Sequence, residues 1–182
     1  RSLTATLHRL RNLLGDNDAI IQQGGVLSLE RTRVWVDVWA FEELTRQASS
    51  ATAQGLLMLY RGGFLKEDES EPWTVGTRER LRGKFIHALG VVTDALEKEA
   101  NYLLAIDCYL RGLDADPVIE QFYQGLMRCY ARLDRRGEAI AAYRRLAQIL
   151  SISLSLKPSQ STQRLYADLR LDQPLANPLA NK

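Results

Sequence analysis

The sequence predicts a mainly α-helical protein built from antiparallel helical hairpins, with one helix and a β-hairpin at its front. Three observations predict this. Apolar residues recur at i+3 and i+4 spacing through most of the chain after residue 77. Two of those stretches are related by a 34-residue period. The clear strand–turn–strand signal, two β-type runs joined by Gly24-Gly25, falls before residue 31. With 182 residues, 46% hydrophobic and 25% charged, the composition is that of an ordinary globular chain. A chain of about 150 residues already buries roughly 68–70% of its unfolded surface, so a real core is expected.

From the front, Leu3, Leu7, Leu10 and Leu14 mark an amphipathic helix over 2–14 that ends at Gly15. Its other face carries Thr4, Thr6, His8, Arg9, Arg11 and Asn12. Two strands follow within 19–30, joined by the Gly-Gly turn and bearing Gln22 and Gln23. A polar, basic helix followed by a two-stranded hairpin is the closing half of a winged helix-turn-helix, where the helix enters the major groove and the hairpin touches the backbone. An ordinary surface helix and hairpin would show the same pattern. Asp37 is expected to cap a helix over 38–49, and a second short helix covers 51–60. Arg61-Gly62-Gly63 then stops it. Trp35 and Trp39 are expected to seal the boundary between the hairpin and the helices, and Trp73 to enter the core.

The repeats follow. Ala105, Ile106, Tyr109 and Arg111 align with Ala139, Ile140, Tyr143 and Arg145, each 34 residues on. Leu89, Thr93 and Leu96 align with Tyr123, Met127 and Tyr130 at the same offset. Thirty-four residues is the length of a tetratricopeptide unit, and such units stack into a right-handed superhelix. The predicted helices are 77–98 and 101–114, then 117–132 and 137–150, with Asp116-Pro117 as the break and Asp134 to Gly137 as the turn. Ala105 and Ala139 take the small positions where paired helices cross; Tyr109 and Tyr143 fill the space beside them. A half-hairpin at 159–169 closes the array, and 171–182, with two prolines and no period, is expected to fray.

Charge and motif content exclude several classes. The net charge is +2, too balanced to argue for nucleic-acid binding by bulk charge. Only 5 of the 24 basic residues are Lys, so forked guanidiniums dominate. The basic run Arg78, Arg80, Arg82 and Lys84 follows an acidic stretch at 66–71, and pairing with Glu67–Glu71 and with Glu79 is expected. Cys108 and Cys129 sit inside helical patterns, with no CxxC and only two histidines, so no metal site and no cofactor are expected. No phosphate-binding glycine loop, HExxH or nucleophile motif is present, so no catalytic residues are assigned and the protein is not expected to be an enzyme. No apolar stretch reaches the ~18 residues of a membrane span.

The order of these parts resembles a known family. "LTATLHRLRNLLGD" resembles the recognition helix of OmpR-type winged-helix domains, and "IIQQGGVLSL" its wing. "VDVWAFEEL", "LYRGGFL", "EPWTVGTRERLRGKF" and "RRGEAIAAYRRL" resemble the bacterial transcriptional activator domain of Streptomyces antibiotic regulatory proteins and MalT-like regulators. The resemblance divides the chain into 1–34, the C-terminal part of a winged helix, and 35–170, the activator domain. The chain opens on Arg1 rather than Met and reads as a piece of a longer protein, whose winged-helix front half would precede it.

The resemblance implies a cytoplasmic transcriptional regulator. Promoter DNA would meet Thr4, Thr6, His8, Arg9, Arg11, Asn12, Gln22 and Gln23. The repeats would meet a protein: RNA polymerase, a second protomer in a homodimer, or another domain of the same regulator. The alternative is a tetratricopeptide-type scaffold that grips a partner without binding DNA.

Overall fold

The computed structural model describes residues 2–65 and 71–171. Its elements, in order, are α1 (Leu3–Leu14), β1 (Ile20–Gln23), β2 (Val26–Leu29), α2 (Asp37–Arg46), a 3-10 turn (Ser50–Thr52), α3 (Ala53–Leu59), α4 (Pro72–Lys98), α5 (Tyr102–Ala115), α6 (Glu120–Arg132), α7 (Arg136–Leu154) and α8 (Gln160–Arg170). This is the mainly helical fold with a small antiparallel sheet that the sequence predicts. The chain divides into two compact units, Arg1–Ala40 and Phe41–Lys182.

In the first unit, Gly15 ends α1 at φ 70°, a left-handed conformation that glycine adopts without steric cost. β1 and β2 pair antiparallel, with Gln22 opposite Leu27 and Gln23 opposite Val26. Gly24 (φ 58°) and Gly25 (φ 78°) supply the two positive φ values that a type I′ turn requires. The core is thin: Leu7, Ala19 and Ile20 are buried.

The second unit is built from consecutive helices packed side by side, α4 on α5, α5 on α6 and α6 on α7, with α8 against α6 and α7. The 34-residue period reappears in the backbone. Ala100 and Asp134 both take φ 57°. After α4, the Asn101 N–H donates to the Leu96 carbonyl at 2.9 Å and Ala100 to Glu97 at 3.2 Å. After α6, Arg135 donates to Tyr130 at 2.8 Å and Asp134 to Ala131 at 3.1 Å. Each of the four positions is displaced by 34, so the two hairpin turns have one geometry, the left-handed helix stop that satisfies the last carbonyls. Leu89, Tyr123 and Met127 are wholly buried at the repeat positions, as are Ala105 and Ala139.

Several boundaries differ from expectation. Gly137 lies inside α7 rather than in the turn, which left-handed Asp134 makes. α4 starts five residues early because Pro72 sits at its first position, where its missing N–H costs nothing. α6 starts later than Pro117, because the Asp116 carboxylate accepts the Val118 N–H at 3.2 Å and holds a turn there. Asp37 is the first residue of α2, not its cap; the Val36 carbonyl receives the first helical N–H groups.

Trp73 is 64% exposed, and its one ring contact among the described residues is a T-shaped one with Phe64. Trp35, expected to seal a boundary, is 73% exposed, while Trp39 lies under the Arg31 guanidinium at 4.7 Å. In the second unit the aromatic anchor is instead Phe41 with Tyr60 and Phe85, the last two stacked at 4.0 Å. The acidic residues 67–70 and the tail from 172, expected to pair and to fray respectively, lie outside the described residues.

Candidate functional site

The sequence places its candidate interface on α1 and the hairpin, and the structure resolves that group into two kinds of residue. Thr4, Arg9, Gln22 and Gln23 are exposed and have no side-chain partner among the described residues. Thr6, His8 and Asn12 are also exposed, with local bonds: Thr6 Oγ1 donates to the Ser2 carbonyl at 3.4 Å, and Asn12 Nδ2 lies 3.2 Å from His8 Nε2.

Arg11 behaves differently. It is half-buried, and its Nη2 donates to the Ile20 carbonyl at 2.8 Å, so it fastens α1 to the first strand. Its Nε is buried without a partner. The loop before β1 is held in turn by Arg33, which bridges Asp16 at 3.0 Å and Asp18 at 3.3 Å. The Asp18 N–H, and then Arg33, hold the Asp16 carboxyl below its ordinary range.

The apolar side of the same unit is bare. Leu3, Leu10, Leu13 and Leu14 are 43–84% exposed, and Val26, Leu27 and Leu29 on β2 are 39–66% exposed. The leucine period of α1 is therefore real, but of its leucines only Leu7 is buried.

In the helical unit, Ala105 and Ala139 are wholly buried and Tyr109 nearly so. Tyr143 is half-buried and stacks on Tyr166 at 3.9 Å, joining α7 to α8. The closest crossings fall at residues the period did not single out. A Cβ on Gly125 would lie 2.1 Å from the Tyr109 ring, and one on Gly112 would lie 2.1 Å from Phe122. The polar centre was equally unmarked. Arg128 on α6 grips Glu97 on α4 with Nε at 3.0 Å and Nη2 at 2.8 Å, and the Tyr109 hydroxyl donates to the same carboxylate at 2.6 Å. Burial, and then the Glu97 charge, push the Tyr109 phenol above its usual pKa, so it stays a donor. No period in the sequence singles this trio out, because Glu97 and Arg128 both lie off the apolar stripes of their helices.

The expected pairing of the basic run is partly redirected. Arg82 does reach Glu79, at 2.5 Å. Arg80 and Lys84 instead converge on Glu42, with Lys84 at 2.7 Å. Arg78 donates to the Phe64 and Leu65 carbonyls at 3.1 and 3.2 Å. Among the described residues, no group of three or more His, Cys, Asp or Glu could hold a metal ion. Cys108 and Cys129 are free and buried, and burial pushes both thiols up to about 12, so they are unreactive at neutral pH. No helix of the described residues is long and apolar enough to cross a membrane.

Comparison with known proteins places this architecture. No curated protein matches the sequence. Among solved structures, Mycobacterium tuberculosis EmbR, determined in complex with a low-affinity phosphopeptide, superposes with a TM-score of 0.64 at 18% identity. The match covers 96% of this chain and 50% of that one, so the chain spans about half the length of the protein it resembles. The sequence profile of the bacterial transcriptional activator domain matches residues 36–170, from the start of α2 to the end of α8. The chain belongs to the bacterial transcriptional activator domain family.

Proposed function

We propose that the chain is part of a cytoplasmic transcriptional regulator in which residues 1–34 close a winged helix that binds promoter DNA, while residues 35–170 contact protein. The observation that carries this reading is the division of α1 into two faces. Its polar face presents Thr4, Thr6, His8, Arg9 and Asn12 to solvent, and Leu3, Leu10 and Leu14 lie open as the surface that the front half of a winged helix would cover. The type I′ hairpin beside it has the form of a wing, with Gln22 and Gln23 exposed to reach sugar or phosphate. Arg9 supplies a guanidinium for phosphate or a guanine edge. Arg11, half-buried and fastened by Nη2 to the Ile20 carbonyl, sets the position of the wing.

The helical unit fits a protein partner: RNA polymerase, a second protomer, or another domain of the same regulator. Membership of an activator-domain family supports binding rather than catalysis. The second reading, a repeat scaffold without DNA binding, draws on the thin core of the first unit.

The experiment selects binding sites from a random duplex library with a longer regulator that contains this chain. The selected duplex is then titrated against the 182-residue chain and the longer protein at two salt concentrations. The longer protein is expected to bind specifically, with Arg9→Ala lowering the salt slope by about 1 if it contacts a phosphate. The 182-residue chain is expected to bind weakly, non-specifically and with strong salt dependence. Specific binding by neither protein would select the scaffold.

A further inference from the structure

The helical unit contains a cavity that the DNA-binding reading leaves unused. It is about 270 Å³ and lies where the end of α3, the N-terminal part of α4 and the last turn of α5 meet. Four guanidiniums line it: Arg61, Arg78, Arg82 and Arg111. Arg82 is compensated by Glu79 at 2.5 Å, with Asp116 at 3.8 Å. The other three form no ion pair with a carboxylate among the described residues.

Backbone carbonyls hold those three instead. Arg61 Nε donates to Met58 at 3.0 Å, Arg111 Nη2 to Tyr60 at 3.0 Å, and Arg78 to Phe64 and Leu65. A guanidinium carries five N–H donors, so each retains most of its capacity while its position is fixed. Glycine keeps the rim clear: a Cβ on Gly63 would lie 3.3 Å from Arg78 Cδ, and Gly62 takes φ 143°, which side chains resist. Against the four arginines stand Glu79 and Asp114, which leaves the lining with a net charge of +2 among the described residues.

A small group with two negative charges spread over three oxygens matches this lining. A phosphate monoester is such a group near neutral pH, and guanidinium forks suit its oxygens. A lone carboxylate would leave half of the excess charge unmatched. We propose that this cavity binds a phosphate monoester, with Arg61, Arg78 and Arg111 donating to the phosphoryl oxygens. The site lies wholly within the helical unit, so it stands or falls independently of the DNA reading.

Calorimetric titration of the 182-residue chain tests it, using inorganic phosphate, glycerol 3-phosphate and a short phosphoserine peptide. Glycerol and the unphosphorylated peptide serve as controls. Saturable binding of the phosphorylated probes alone is expected. Arg61→Gln should weaken it roughly tenfold, the scale of one lost charge-assisted hydrogen bond. Arg111→Lys keeps the charge but loses the fork, and should weaken it severalfold. Arg144→Gln, exposed on α7 and away from the cavity, should leave it unchanged.

Circular dichroism checks the fold of each variant. If the Arg111 variant fails to fold, exposed Arg61 decides the matter. A peptide bound at least tenfold tighter than glycerol 3-phosphate assigns the phosphate to a phosphorylated partner, and comparable affinities assign it to a free ester. Both results support the site. No saturable binding by any probe, or equal weakening by Arg144→Gln, would overturn it.

Discussion

The two units solve the burial problem in opposite ways. In the helical unit, each helix finds a neighbour, small residues admit rings at the crossings, and a buried carboxylate has two donors. In the leading unit, an equally regular leucine stripe is left mostly in water, over a core of three buried residues. An amphipathic period shows that a face is to be covered, but not what covers it. The helical unit supplies its own cover. In the leading unit that face stays mostly open among the described residues.

The largest effect should come from the polar centre. Arg128→Ala leaves Glu97, whose side chain is only 15% exposed, with the Tyr109 hydroxyl as its remaining partner in this trio. Breaking one side of a fully buried pair costs about 3–5 kcal/mol, and for this part-buried pair a loss of about 2 kcal/mol is expected. Urea unfolding should show a loss of that order, and a loss under ~1 kcal/mol would mean water already reaches the pair.

Glycines give the next test, with opposite signs expected in one unit. Gly125→Ala drives a Cβ into the Tyr109 ring and should cost ~1–3 kcal/mol by overpacking. Gly83→Ala, mid-helix in α4 with nothing within 4 Å, should instead stabilise by ~0.5–1 kcal/mol. Thermal melts of the two variants that move in the same direction would refute the crossing geometry.

Those glycines also mark where the sequence stopped being legible. The 34-residue period was readable because it is written in side chains, Ala105 and Tyr109 against Ala139 and Tyr143. The matched turns at Ala100 and Asp134 were not. What repeats there is a backbone conformation, carried by two residues with nothing chemical in common. Gly112 and Gly125 read locally as weak helix formers, and their purpose depends on rings from another helix.

Trp73 was misread because a large aromatic was taken as core, although α4 begins one residue before it and Phe64 is its only ring contact among the described residues. At the candidate interface the sequence marked the polar face of α1 correctly as exposed. It could not show that Arg11 would turn to the Ile20 carbonyl, a bond set by how the hairpin folds back.

A smaller effect is expected at the surface of the helical unit. Hydrogen bonds from Lys84, and then Arg80, lower the Glu42 pKa in the folded protein. A lowered folded value means that the stabilisation is complete above the ordinary carboxylate pKa. It is lost as pH falls through the folded value. Glu42→Gln should therefore cost under ~1 kcal/mol at neutral pH, the range for an exposed pair. The variant and the parent should converge in stability in acid, and a gap that widens below the carboxylate range would give the shift the wrong sign.

The smallest effect, and the one that bears most directly on the contrast, belongs to Leu3 on the leucine stripe. It is 61% exposed at the start of α1, so Leu3→Ser removes little buried surface from the 182-residue chain. Surface changes of this kind stay within about ±0.5 kcal/mol. If the leucine face is completed by the front of a winged helix, the same substitution in a longer regulator removes a core side chain there. Fully burying a leucine is worth about 1.5–3 kcal/mol, so the loss in the longer protein should approach that range. Unfolding both proteins, with and without the substitution, isolates the difference. A near-zero effect in both would mean that Leu3 faces water in the longer regulator too, and the exposed stripe would then have to be explained without a winged helix.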